Sequence, residues 1–179
     1  MKSRLERQWT TFLTELGVRW TCVAEDLVLA AMGWRQPTFR LPDLDLWLLV
    51  THGEPTAEEW QGCETMAWEG DEPIVWFRGV PRERVGTLWC YDMTDDGSGG
   101  QSTWDEVSWV ASPERGARLM VGGPGSYRYR DWCSRDFDNI RGVISLGHVQ
   151  RGDEAAQGFF TPEGAALLKR AERRARAAT

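Results

Sequence analysis

The densest interleaving of basic and aromatic side chains in the chain is Tyr127-Arg128-Tyr129-Arg130-Asp131-Trp132, with Arg115, Arg118, Arg135 and Arg141 around it. Alternation of this kind matches a strand with one face of arginine, whose chemistry is the grip of phosphate or of an acidic partner. The same pattern also serves a solvated strand edge whose charges block self-association. Residues 54–72 carry the opposite chemistry: Glu54, Glu58, Glu59, Glu64, Glu69, Asp71 and Glu72 run without a basic residue among them. That run is either a solvated helix face or a contact surface. Together with Asp92, Asp95, Asp96, Asp105 and Glu106, it would repel DNA and attract a basic protein groove. Of the 11 tryptophans, Trp9, Trp47, Trp60 and Trp76 fall on periodic apolar faces and are expected in the core. Trp104, Trp109 and Trp132 lie in polar, glycine-rich surroundings and, if exposed, are candidate interface anchors or base-stacking platforms.

Several chemistries find no support. Gly122-Gly123-Pro124-Gly125 lacks the Lys-Ser/Thr that completes a phosphate loop, and Ser134 and Ser145 lack a G-x-S-x-G context. Cys22, Cys63, Cys90 and Cys133 form no C-x-x-C pair, which gives a structural zinc site no basis. With no export signal they are expected as reduced thiols in a cytoplasmic protein. A net charge of −6 argues against a surface that binds nucleic acid over its whole extent. No apolar run, Leu46 to Val50 included, comes near the ~20 residues that cross a bilayer, so no membrane span or signal peptide is expected.

The elements that must position these residues follow from periodicity. Leu5, Trp9, Phe12, Leu13 and Leu16 recur at helical spacing until Gly17. Val18 to Val23, Thr38 to Leu41 and Leu46 to Val50 read as strands, the last two joined at Pro42-Asp43. The third is apolar at consecutive positions, as suits a strand covered on both faces. Thr56 with Glu59 is a capping box that opens a second helix, and Pro73 to Phe77 is the next strand. Beyond it, Val85 to Tyr91 and Val143 to Leu146 read as strands. Asp95 to Gly100 reads as a turn or loop, and Thr161-Pro162-Glu163 starts a closing helix rich in alanine and arginine.

Four segments carry a resemblance: Ser3-Arg4-Leu5-Glu6-Arg7-Gln8-Trp9, Leu16-Gly17-Val18, Pro37-Thr38-Phe39-Arg40-Leu41-Pro42-Asp43-Leu44, and Leu46-Trp47-Leu48-Leu49-Val50-Thr51-His52-Gly53. They resemble the small phage- and bacteria-encoded members of the PD-(D/E)XK, restriction-endonuclease-like superfamily. Those proteins carry a glutamate on the first helix, a P-D-F-W-L-P segment and a strand ending E-V-K-G. The resemblance spans residues 1 to about 80, with a weaker echo at Asp153 to Ala178. It implies an α/β (α+β) fold: a mixed central sheet flanked by helices, an αβββαβ core in residues 1–80, and a β-rich extension in 81–179. The extension closes with a helix over 161–177 and packs on the core as one compact unit.

The superfamily holds a divalent metal with two acidic groups and uses a lysine to activate water or to steady charge at phosphorus. Here Thr38 stands at the first aspartate, and Leu49 and Thr51 stand at the glutamate and lysine of E-x-K; the only lysines are Lys2 and Lys169. Related proteins often place cysteine pairs in the C-terminal half as a zinc element, where this chain has only Cys90 and Cys133. The resemblance therefore implies a nuclease-like scaffold without metal, cofactor or catalysis, acting by binding. Its expected role is a phage or mobile-element inhibitor of a host nucleic-acid-targeting defence complex. The expected partner is a protein with a basic, nucleic-acid-binding groove, met by Glu58, Glu59 and Glu64, with Arg128, Arg130 and Trp132 as a second contact set. One alternative is a divergent metal-dependent nuclease with a migrated site: Glu6 at the family's helix glutamate, Asp43 and Asp45 nearby, and His52 at the strand end. Against it, aspartates in a turn serve local needs, and His52 beside Gly53, like His148, reads as a loop histidine. A second alternative is a nucleic-acid-binding module using Arg128, Arg130 and the arginines of the last helix.

Overall fold

The computed structural model describes residues 3–22, 38–69, 73–81, 84–93, 99–121, 143–145 and 159–178. Helix α1 (Arg4–Glu15) starts where the Ser3 hydroxyl accepts from the Glu6 N–H at 3.1 Å, which satisfies one of the donors a helix start leaves open. It ends in a Schellman turn. Gly17 takes φ +69°, its N–H reaches the Thr14 carbonyl, and the Val18 N–H reaches Leu13, both at 3.0 Å. The apolar stripe of α1, Leu5, Trp9, Phe12, Leu13 and Leu16, is buried.

Strands β1 (Thr21–Cys22), β2 (Thr38–Leu41) and β3 (Leu46–Thr51) follow, and α2 (Ala57–Glu69) crosses over to β4 (Ile74–Arg78). Then come β5 (Arg84–Met93), β6 (Gly99–Ser112), β7 (Gly116–Val121), β8 (Val143–Ser145) and helix α3 (Pro162–Ala177). The strands lie in one mixed sheet in sequence order; β3 with β4 and β7 with β8 are parallel pairs and the others antiparallel. The fold is thus mixed α and β, with three helices among the described residues.

Period-two alternation sorts β3 and β4 between two apolar layers. Leu46, Leu48, Val50, Val75 and Phe77 face the larger core with α1 and α3, whereas Leu49, Ile74 and Trp76 face Cys63 and Ala67 of α2. The consecutive apolar run of β3 is therefore explained by cover on both faces. In the larger core, Phe77 lies 5.4 Å from Trp9 and 6.2 Å from Trp109, and Phe12 lies 5.8 Å from Trp109. This aromatic group ties α1, β4 and β6 together, so the core continues across residue 80.

Four expectations change. Of the described residues in Val18 to Val23, Thr21 and Cys22 are strand and 18–20 are not, because the Schellman turn directs the chain through residue 18; Val23 lies outside the described residues. Gly99 and Gly100 belong to β6 and pair with β5, while Asp95 to Ser98 lie outside the described residues. Trp109 is fully buried and is no surface anchor; the side chain of Trp104 and the whole of Trp132 lie outside the description. The closing helix begins at Pro162, with Thr161 as its cap accepting from the Gly164 N–H at 3.1 Å.

Candidate functional site

The register of β2 with β3 sets Thr38 opposite Leu49. These are the positions where the resemblance would put an aspartate and a glutamate. Both are buried, Thr38 at 2% exposure and Leu49 at 0%, and Leu49 packs against Ile74, Trp76, Cys63 and Ala67. Thr51, at the lysine position, is also buried. Its hydroxyl accepts from the Trp76 indole N–H at 2.9 Å and donates to the Gly53 carbonyl. A leucine offers no lone pair to a cation, and a hydroxyl held by two structural bonds is not placed to activate water.

Three of the four residues of the alternative nuclease site are engaged elsewhere. Glu6 is half-buried on α1 and accepts from the Cys22 thiol at 3.3 Å. Asp43 receives the Arg19 Nε at 2.8 Å on both oxygens and Arg19 Nη2 as well. Asp45 adopts φ +53°, a left-handed conformation that aspartate tolerates, and pairs with Arg40 at 2.6 Å. His52 is exposed just past β3. Among the described residues, no group of three His, Cys, Asp or Glu side chains could hold a metal ion. The structure does not gather these four.

The acidic run divides by role. Glu59 completes the capping box: its carboxylate accepts from the Thr56 N–H at 2.8 Å, and its own N–H reaches the Thr56 hydroxyl at 3.2 Å. Glu54 pairs with Arg78. Glu58 is exposed in the first turn of α2. Glu64 lies on α2 with its side chain outside the description, and Arg128, Arg130 and Trp132 lie outside the described residues altogether.

One feature escaped the linear pattern. A cleft of about 350 Å³ is walled by Arg19, Asp43, Arg115 and Arg118, with Gly17, Val18, Pro42, Leu44, Gly116 and Ala117 between them. Three turns build it. The Schellman turn delivers Arg19, the Pro42–Asp45 turn delivers Asp43, and the β6–β7 hairpin delivers Arg115 and Arg118, with Gly116 at φ +76°. The Arg19 hydrogen bonds hold the Asp43 carboxyl below its ordinary range, with Arg118 adding a smaller pull in the same direction. The reciprocal bond raises the pKa of Arg19. The guanidinium groups of Arg19 and Arg118 thus both act on one carboxylate, with Arg115 on the wall of the same cleft, in a chain that is acidic overall. The hairpin signal Ser112-Pro113-Glu114-Arg115-Gly116 was available to sequence reading; its meeting with residues 17–19 and 42–44 was not. Compared with models of known families, with curated proteins and with solved structures, the chain matches none.

Proposed function

We propose that this protein is a nuclease-like scaffold without catalysis that acts by binding a protein, as a phage- or mobile-element-encoded inhibitor of a host nucleic-acid-targeting defence complex. The observation that carries the reading is the apolar and hydrogen-bonded filling of the three positions the resemblance reserves for chemistry: Thr38, Leu49 and Thr51. A scaffold whose metal positions hold packing residues keeps its folded surface as its working part. Among the described residues, the order of helix, three strands, helix and strand is the one the resemblance leads us to expect.

The partner is a protein with a basic groove. Its contact face on this chain is the acidic α2 and its flanks, where Glu58 is exposed; Glu59 contributes charge while also capping the helix. Affinity purification from the native host, followed by identification of what co-purifies, tests the reading. A nucleic-acid-targeting complex recovered by the parent and lost with Glu58→Lys supports it. Magnesium- or manganese-dependent cleavage of DNA or RNA that disappears on changing Glu6, Asp43 or Asp45 overturns it in favour of a divergent nuclease.

A further inference from the structure

We propose that the exposed face of α3 binds the phosphate backbone of a nucleic-acid duplex without reading its sequence. This role goes beyond protein binding and uses none of the α2 acidic residues, so either can fail without the other.

The two sides of α3 differ in kind. Gly164, Leu168, Ala171 and Ala175 form its buried stripe, and Gly164 brings the helix so close to β6 that a Cβ would strike the Ala111 carbonyl. The opposite side carries Lys169, Arg170, Arg173, Arg174 and Arg176, all exposed, over a rise of ~10 Å. Among the described residues, Lys169 and Arg173 make no ion pair or hydrogen bond. Arg170 and Arg174 share the Glu15 carboxylate at 3.7 and 3.9 Å, and Arg176 meets Glu172 at 3.4 Å. Two carboxylates thus serve three of the five cations. The helix dipole explains only Arg174 and Arg176, which lie in the last turn. Lys169 with Arg173 and Arg170 with Arg174 are like charges at i, i+4, which weaken a helix; a row of phosphates laid along them removes that repulsion.

The choice of partner follows from what this face lacks. Over residues 165–177 the remaining exposed side chains are alanines, so no aromatic or large apolar group stands ready to anchor a protein interface. Nucleic-acid interfaces are more polar and far more positive than those between proteins, and the arginine fork matches phosphate oxygens. A helix that binds a membrane buries its apolar face among lipids, whereas that of α3 is committed to the core with Trp9 and Phe12. Seated this low against β6, α3 does not enter a groove, and its contacts end at the phosphates, which carry no sequence information. The net charge of −6 does not block the approach, because the acidic α2 packs on the other face of the sheet.

The test adds the intact protein to two short fluorescent DNA duplexes of unrelated sequence and follows anisotropy between ~50 and ~200 mM salt. Both duplexes are expected to bind alike, and with about three to five phosphates neutralised, affinity should fall roughly 40- to 500-fold across that range. The double variant Lys169→Gln/Arg173→Gln is expected to bind about tenfold or more weakly at the lower salt and to flatten the log–log salt slope by about 2. Arg78→Gln, which removes a cation outside α3, should bind as the parent does. Should the double variant not fold, Arg170→Gln/Arg174→Gln gives the same reading. The inference is overturned by absence of duplex binding, by binding unchanged in the α3 variants, or by an equal loss with Arg78→Gln. A clear preference for one of the two sequences overturns it as well, as does tighter binding of a polyglutamate peptide or of phosphatidylserine vesicles than of either duplex.

Discussion

The indole N–H of Trp76 on β4 donates to the hydroxyl of Thr51 on β3 at 2.9 Å, and both residues are buried. The Thr51 hydroxyl in turn donates a hydrogen bond to the Gly53 carbonyl. A short hydrogen-bonded relay therefore occupies the strand end where the resemblance would place a lysine. Thr51→Val keeps the shape but strands the buried indole donor, at a cost of about 1–3 kcal/mol. Thr51→Ser keeps the relay and should lose far less. Urea denaturation of the two variants side by side checks this; equal losses would mean that the methyl group, not the hydroxyl, holds the site.

Gly164 sits in the first turn of α3, where an added Cβ would meet the Ala111 carbonyl oxygen at 1.9 Å and the Ala111 carbonyl carbon at 3.0 Å. The obstacle is backbone of β6 and cannot swing aside. Gly164→Ala is expected to lose at least 1–3 kcal/mol, as over-packing does, despite alanine's better helix propensity. Gly53→Ala meets nothing within 4 Å and should stay within about 0.5 kcal/mol of the parent. Thermal denaturation of the pair distinguishes close approach from a general intolerance of change.

Trp109 is fully enclosed, with Phe12 and Phe77 against it, and its indole nitrogen is buried with no hydrogen-bond partner among the described residues. Trp109→Ala is expected to cost about 3–5 kcal/mol through the cavity it leaves. Trp109→Phe keeps a ring against Phe77 and removes the stranded donor, so it should cost well under half as much. Denaturant midpoints for both variants decide the matter. A larger loss for phenylalanine than for alanine would contradict the packing described.

The Arg19–Asp43 pair predicts an acid-limb effect. The hydrogen bonds from Arg19 lower the Asp43 pKa from its ordinary value of 3.8, so the pair's stabilisation is fully present above that value and fades as pH falls through the lowered one. NMR titration of the Asp43 carboxyl should give a midpoint below 3.8, and Arg19→Gln should raise it. The stability difference between parent and Arg19→Gln should shrink toward zero in acid. It should also shrink in high salt, because the arginine is open to solvent.

Helices α1, α2 and α3 were legible because each signals its start or face locally: a stripe at helical spacing in α1, Thr56 with Glu59 in α2, Thr161 with Pro162 in α3. Strands β2, β3 and β4 were legible as short apolar runs between turns. Strand β6 was not, because it opens on Gly99 and Gly100, residues that usually break structure, and its inward face of Val107, Trp109 and Ala111 alternates with neighbours that are themselves buried. The cleft was illegible for a different reason. Its walls come from three stretches of chain far apart in sequence, and no local pattern records that three turns will converge. The facing of Thr38 and Leu49 likewise depends on register, which periodicity leaves open.

Helix α3 lies against α1 and contributes Leu168, Ala171 and Ala175 to the same core as Trp9, Phe12 and Leu13; Glu15 of α1 is met by Arg170 and Arg174 of α3 at 3.7 and 3.9 Å. On the ribosome, α1 emerges roughly 150 residues ahead of its cover, a delay on the order of ten seconds at ordinary translation speeds. The sheet strands that share this core arrive within that interval, but the part of the α1 face that packs with Leu168, Ala171 and Ala175 waits for its end. Synthesis of this protein therefore includes a built-in window in which the first helix lacks the cover that α3 supplies.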